Sequence, residues 1–418
     1  MLHRLKPKSE FSRNVLTLMT GTTIAQAIPL AISPVLTRLY TPEDFGIFAL
    51  FVAVVGIFST ISSGRYEMAL LLPKKTSDVM NVLVLSFLIN LAFSLCLLLI
   101  IIIFGEWIVH LFNSEQMAFW LYFIPLTVFV VGLFNQLSVF NNRQKNYRDI
   151  AQASIVKAIV LATIQLGMGF AKSGASGLIS GQIVAQLSAN VKLAKNIFST
   201  KNFFHEVSRL KMFSLAKRYK GFPQFNLPHA LFSTLSSNLP VYLFTPFFGS
   251  TVVGYYSFSL MIVFTPLMIL AGATAKVYSQ QVVALYHKKE NAYLFTMKML
   301  FSLGKKVLLL FLVILLFAPS VFSVLFGETW REAGQYTQIL APFLFLNVLV
   351  STIAFIPNLV GAQKKAFLVS FVHVALLSSV LYYFSIQGEV YSALAALSVI
   401  NSAVLLYNLN WMLRSLKS

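Results

Sequence analysis

The sequence predicts an all-α, polytopic membrane protein with twelve transmembrane helices in two six-helix lobes around a central cavity. Three observations predict it. Apolar residues make up 57% of the 418, close to the about 240 that twelve crossings of about 20 residues each require. They gather in twelve segments centred near residues 25, 55, 92, 128, 160, 183, 235, 265, 312, 346, 376 and 400. Of the 32 Lys and Arg residues, 28 lie in one alternate set of the connections, and only Arg38, Lys172 and Arg331 lie in the other. Short basic loops stay in the cytoplasm, so this asymmetry predicts a multi-pass inner-membrane protein with both termini cytoplasmic.

Taken in order, the elements support that reading. The apolar stretch from Val15 to Leu36 follows a basic N-terminal segment but is too long for a signal peptide and lacks a small-residue cleavage site, so it is read as a retained first span. The run Thr41-Pro42-Glu43-Asp44 has an N-cap residue, a proline suited to the first helical position, and two acids suited to the positive end of a helix. Helix initiation accounts for this acidic pair without catalysis. Lys157 lies within the fifth span and His373 within the eleventh, while Arg65 and Lys276 stand at the cytoplasmic mouths of the second and eighth. Glu328 and Glu332 flank Trp330 and Arg331 in a periplasmic loop, where an interfacial tryptophan is expected.

The halves repeat. Pro34-Val35 followed by Gly46-Ile47-Phe48 returns as Pro240-Val241 followed by Gly254-Tyr255-Tyr256. Phe112 with Glu115 returns as Phe326 with Glu328, and Gln144-Lys145 with Tyr147 as Gln363-Lys364 with Phe367. Six spans per half makes the repeat parallel, with lobes at residues 1–200 and 201–418 and the basic stretch 196–220 between them. Two such lobes enclose a central cavity suited to alternating access.

Polar residues and prolines cluster in spans one and seven: Gln26, Pro29 and Pro34 in the first, and Pro223, Gln224, Asn226, Pro228, His229, Asn238, Pro240 and Pro246 in the seventh. A polar side chain in a span is costly against lipid and is expected to face the cavity. The prolines are either structural kinks or parts of a gate, with Pro34 and Pro240 the equivalent gating candidates.

The spans hold essentially no carboxylate but do hold cations, which points to an anionic substrate. Lys157 either contacts that anion or snorkels to the interface. Arg65 and Lys276 either contact it or meet lipid phosphates, and His373 is read as a helix-packing histidine. The net charge of +19 is the signature of cytoplasmic loops, not of nucleic-acid binding. Cys96 is the sole cysteine, which excludes a disulfide framework or cysteine metal site. No HExxH, Walker lysine loop or GxSxG elbow occurs, so no catalytic residue, metal or cofactor is expected.

Tyr219-Lys220-Gly221-Phe222-Pro223, followed by Leu239-Pro240, Phe247-Phe248-Gly249 and Gly254-Tyr255-Tyr256, resembles spans seven and eight of the Wzx-type polysaccharide (O-antigen) flippases. Arg65-Tyr66-Glu67 with Leu71-Leu72-Pro73 resembles the signature after their second span. This family belongs to the multidrug/oligosaccharidyl-lipid/polysaccharide exporter superfamily. The resemblance implies a non-enzymatic flippase of undecaprenyl-pyrophosphate-linked oligosaccharides for surface polysaccharide such as lipopolysaccharide O-antigen. It also implies membrane lipids, a polysaccharide polymerase and a chain-length regulator as partners. Arg65, Lys157 and Lys276 would then attract the pyrophosphate, and Gln26, Gln224, Asn226, His229 and Asn238 would meet the sugars or the gate. The alternatives are a membrane glycosyltransferase or O-antigen polymerase, and a cation-coupled multidrug exporter of the same superfamily.

Overall fold

The computed structural model of the chain describes residues 10–112, 117–198, 207–287 and 291–416. Among them every regular element is helical: α1 (Glu10–Leu39), α2 (Pro42–Ile61), α3 (Tyr66–Ala69), α4 (Thr76–Phe112), α5 (Met117–Leu121), α6 (Ile124–Arg143), α7 (Tyr147–Phe170) and α8 (Ala175–Phe198). Then follow α9 (Arg209–Arg218), a π-turn (Phe222–Asn226), α10 (Leu227–Ser259), a second π-turn (Leu260–Phe264), α11 (Thr265–His287), α12 (Ala292–Phe326) and a short 3₁₀ turn (Glu328–Trp330). The chain ends with α13 (Arg331–Thr352), α14 (Ile356–Leu359), α15 (Gln363–Ile386) and α16 (Val390–Arg414).

Ten stretches among the described residues are long and apolar enough to span a membrane, so the chain is a multi-pass membrane protein. The expected count of twelve differs at two places. One of the ten, Phe222–Tyr286, is 65 residues long, roughly 98 Å if helical throughout and therefore far more than one crossing. Gly249, with φ 82° and ψ 172°, breaks it into two helices, adopting a backbone conformation that is open essentially to glycine alone. The break falls midway between the centres expected for spans seven and eight. The second place is α8, which is 24 residues long but not among the ten. Its Gln186 and Asn190 are buried, and Asn190 donates to the carbonyl of Val130 on α6 at 2.8 Å. Polar residues that cross-link a helix to its neighbours lower its mean hydropathy.

The repeat is visible in element lengths. Helices α4, α6, α7 and α8 have 37, 20, 24 and 24 residues, and α12, α13, α15 and α16 have 35, 22, 24 and 25. Glu115, one of the landmarks of the repeat, lies outside the described residues. Packing divides the chain into units Met1–Pro246 and Phe247–Ser418, a later division than the lobes 1–200 and 201–418 read from the repeat. The first arm of α10 falls in the first unit because it packs on α2: Tyr242 donates to the carbonyl of Ala53 at 2.7 Å, and the Thr60 and Thr234 hydroxyls are 3.2 Å apart.

In the first unit α1 and α7 run side by side in the same direction. A β-carbon on Gly21 would meet Ala151, and one on Gly169 would meet Leu39 and Tyr40, so small residues let the two backbones approach closely. Tyr40 donates to the carbonyl of Gln165 at 2.6 Å. Burial, then the charge of Asp44, pushes its hydroxyl up to about 12, so it remains a donor at neutral pH. The start of α2 is as expected. Thr41 is the N-cap, Pro42 opens the helix, and Thr41 and Asp44 form a reciprocal capping box, with Asp44 N to Thr41 Oγ1 at 3.2 Å and Thr41 N to Asp44 Oδ2 at 2.8 Å.

In the second unit an aromatic core joins the 3₁₀ turn to α10 and α12. Trp330 is 1% exposed, with its ring 4.4 Å from Phe258 and 6.0 Å from Tyr255. This corrects the expectation of an interfacial tryptophan: the apolar ring is taken into the core, while Glu328 and Arg331 beside it pair at 2.8 Å in the open. His373 Nε2 lies 2.8 Å from Asn401 Oδ1 of α16, the helix-packing role expected of it.

Candidate functional site

The site grows out of the turn after α2. Gly64 and Arg65 both have φ 61°, and a non-glycine residue in the left-handed region is held there only by its surroundings. The arginine supplies them. Its Nε donates to Asn226 Oδ1 in the π-turn at 3.0 Å, and its Nη1 lies 3.4 Å from Glu67 Oε1. Glu67 is 2% exposed and the only buried carboxyl among the described residues, and it also accepts a close hydrogen bond from Ser63 Oγ. Sequence reasoning quoted Glu67 within Arg65-Tyr66-Glu67 but gave it no role. An acid two residues from an arginine in that motif was the available signal.

Neighbouring contacts fix this corner. Tyr66 donates to the carbonyl of Ala216 in α9 at 3.1 Å. Arg143 at the end of α6 donates to the carbonyls of Leu70 and Leu71, each at 3.2 Å, and to that of Pro73. Its guanidinium thus satisfies three carbonyls beyond α3 that no helix bonds. The π-turn beside them follows from sequence: Pro223 and Pro228 cannot donate, so the backbone there departs from the regular ladder.

Beside Asn226 is a cavity of about 600 Å³ lined by Arg218, Tyr219, Gly221, Phe222, Phe225, Asn226 and His229. It combines a guanidinium, an imidazole and an amide with aromatic faces, a lining able to take an anionic group and a polar, ring-shaped one together. Arg218 was not singled out from sequence, because a basic residue in a basic linker carries no distinguishing signal, and Tyr219 was quoted in the Tyr219–Pro223 motif without a role.

The structure brings Arg65 and Asn226 together and puts His229 with Asn226 on the cavity wall. Gln224 is exposed in the same π-turn. Asn238 lies twelve residues beyond Asn226, about 18 Å along the helix, and donates to the carbonyl of Thr234 in its own helix at 3.0 Å. Lys276 is exposed on α11 in the second unit.

Lys157 and Gln26 form a separate pair of positions. Since Gly21 meets Ala151 and Leu39 meets Gly169, the shared register puts Gln26 level with Val156, next to Lys157. Lys157 is the eleventh of the 24 residues of α7, about 15 Å from the helix start. Its ammonium is 5.6 Å from the ring centroid of Phe134, and no carboxylate pairs with it among the described residues.

The gating candidates Pro34 and Pro240 are both inside continuous helix. Pro34 cannot donate to the carbonyl of Leu30, and Ser33 Oγ does so instead at 2.7 Å. In α10 the non-helical residue is Gly249, not Pro240.

A family model described as polysaccharide biosynthesis protein matches residues 35–335. The chain is 23% identical over 385 residues to the succinoglycan biosynthesis transport protein ExoT of Rhizobium meliloti (strain 1021), covering 90% of this chain and 75% of that protein. Its fold is similar to that of the lipid II flippase MurJ in an inward closed conformation, with a TM-score of 0.70, 12% identity and coverage of 94% and 87%. It is also similar to an inward-facing multidrug resistance MATE family transporter of the MOP superfamily, with a TM-score of 0.64, 16% identity and coverage of 96% and 95%.

Proposed function

Since the chain belongs to the polysaccharide biosynthesis protein family, we propose that it is a flippase carrying undecaprenyl-pyrophosphate-linked oligosaccharide units across the bacterial inner membrane for surface polysaccharide assembly. Both termini are cytoplasmic in this reading, as the basic loops require. The observation that carries it is the Arg65–Asn226 contact beside a cavity lined by Arg218 and His229. Likeness to a succinoglycan transport protein and, in fold, to a lipid II flippase supports it.

The chemistry is that of lowering a barrier. A pyrophosphate and its sugars crossing hydrocarbon unaided lose their hydrogen bonds at several kcal/mol per group. Arg65 and Arg218 offer charge-assisted donors to phosphate oxygens, and Asn226, His229, Gln224 and Asn238 offer polar partners to hydroxyls. Lys157 and Gln26, level in α7 and α1, offer a second station about 15 Å from the start of α7. Pro34 and Pro240 are the gating candidates of this reading, and Lys276 is a further cation candidate for the pyrophosphate. No catalytic residue takes part, which separates this reading from a glycosyltransferase or polymerase.

The test uses spheroplasts of cells with and without the protein, in a strain whose polymerase is disabled. Glycan accessible from outside is labelled, and labelling should appear only when the protein is present. Equal labelling in both strains refutes the flippase reading, and loss of the oligosaccharide lipid from both leaflets assigns the chain to glycan synthesis.

A further inference from the structure

Helix α9 has more surface than the bundle uses. Its ten residues, Arg-Leu-Lys-Met-Phe-Ser-Leu-Ala-Lys-Arg, hold four basic side chains and no acid. One face is already committed to protein. Leu215 is buried with Tyr66, Val79 and Met80, Tyr66 donates to the carbonyl of Ala216, Lys211 Nζ donates to Ser77 Oγ at 3.1 Å, and Ser208 N donates to Asn81 Oδ1 at 2.8 Å. At roughly 100° per residue, Leu210, Phe213 and Lys217 fall together on the opposite face. Leu210 is 85% exposed and Phe213 76%.

The depth of that face follows from its anchor. The spanning stretch of α4, Thr76–His110, is 35 residues long, about 52 Å of helix against about 30 Å for the hydrocarbon core of a bilayer, which leaves about 11 Å, two turns, at each end for the headgroup layer. The contacts that hold α9 are to Ser77 and Asn81, in the first two turns of that excess length. The helix therefore lies at headgroup level, at the end where the basic loops gather. An apolar pair there, flanked by Arg209, Lys211, Lys217 and Arg218, meets two demands of one environment: acyl chains for Leu210 and Phe213, and anionic headgroups for the cations.

We propose that α9 is a membrane-surface helix that seats its Leu210–Phe213 edge in the lipid interface and binds anionic phospholipid headgroups through its flanking basic residues. The helix runs directly into the cavity at Arg218 and Tyr219, so lipid would hold the wall of that cavity in place. The inference rests on α9 and its anchor alone and stands apart from the identity of the cargo.

The full-length protein carrying Cys96→Ala and Phe213→Cys is labelled with an environment-sensitive fluorophore. It is then placed in nanodiscs of phosphatidylcholine with and without phosphatidylglycerol. The expected result is a blue-shifted emission, quenched by lipids brominated near the headgroup, more strongly with phosphatidylglycerol and less in high salt. Retention of phosphatidylglycerol over phosphatidylcholine by the purified protein should fall about fivefold for each charge removed in Arg209→Gln/Lys217→Gln. These are surface positions, so folding is retained, as thermal unfolding would verify. Water-like emission in both membranes overturns the proposal, as does quenching indifferent to phosphatidylglycerol. A blue shift without quenching also overturns it and assigns the face to a protein partner.

Discussion

Arg65 Nε donates to Asn226 Oδ1 at 3.0 Å across 161 residues of chain. This bond ties the turn after α2 to the π-turn that opens α10, and it does so with a residue whose backbone is left-handed. The guanidinium is shared between Asn226 and the buried Glu67, so an incoming anion has a prearranged donor to compete for.

Arg65→Gly separates the two roles of this residue. Glycine accepts φ 61° without strain, so the variant should be inserted at normal level while glycan translocation falls at least tenfold. Arg65→Lys should recover only part of it, because an ammonium lacks the rigid planar fork with which the guanidinium holds both acceptors. Wild-type flux in Arg65→Gly would remove Arg65 from the path.

Lys157→Met retains the stem length and loses the charge at mid-depth of α7. Transport should fall by an order of magnitude or more at normal protein level, and Lys157→Arg should keep most of it. Unchanged flux in Lys157→Met would leave the contact with Phe134 as its whole role.

Gly249→Ala should destabilise the protein by about 1–3 kcal/mol, because a β-carbon opposes φ 82° there. A lowered thermal midpoint in detergent would register it. Gly167→Ala, in helix with nothing within 4 Å of the added carbon, should be neutral or stabilising by about 0.5–1 kcal/mol. Pro34→Ala and Pro240→Ala should remain folded yet lose flux if these prolines take part in a gate. Wild-type transport in both would make the prolines architectural.

Reporter fusions after Asn146 and after Ser208 should read cytoplasmic, and a fusion after Gly174 periplasmic. One reversed position breaks the orientation drawn from the basic loops, because parity carries through every later span.

The sequence by itself determined what depends on neighbours along the chain. Apolar stretches of spanning length establish a polytopic helical protein, and the capping box at Thr41–Asp44 was legible because its bonds close within four residues. The polar, proline-rich start of span seven was legible too, since such residues are costly in lipid. Tertiary structure alone decided which distant groups meet. Arg65 and Asn226 were both marked as candidates, but nothing in their separate contexts says that they touch. Trp330 was expected at the interface, and packing against Phe258 buried it. Glu67 was visible as a letter in a motif, and only the fold enclosed it beside Arg65. Helix α8 was too polar to rank as a span by hydropathy, yet its Asn190 amide is buried and bonded to α6. Local hydrogen bonding and transfer into lipid are sums over adjacent residues, whereas a contact between helices depends on register and facing, which arise only when the helices pack.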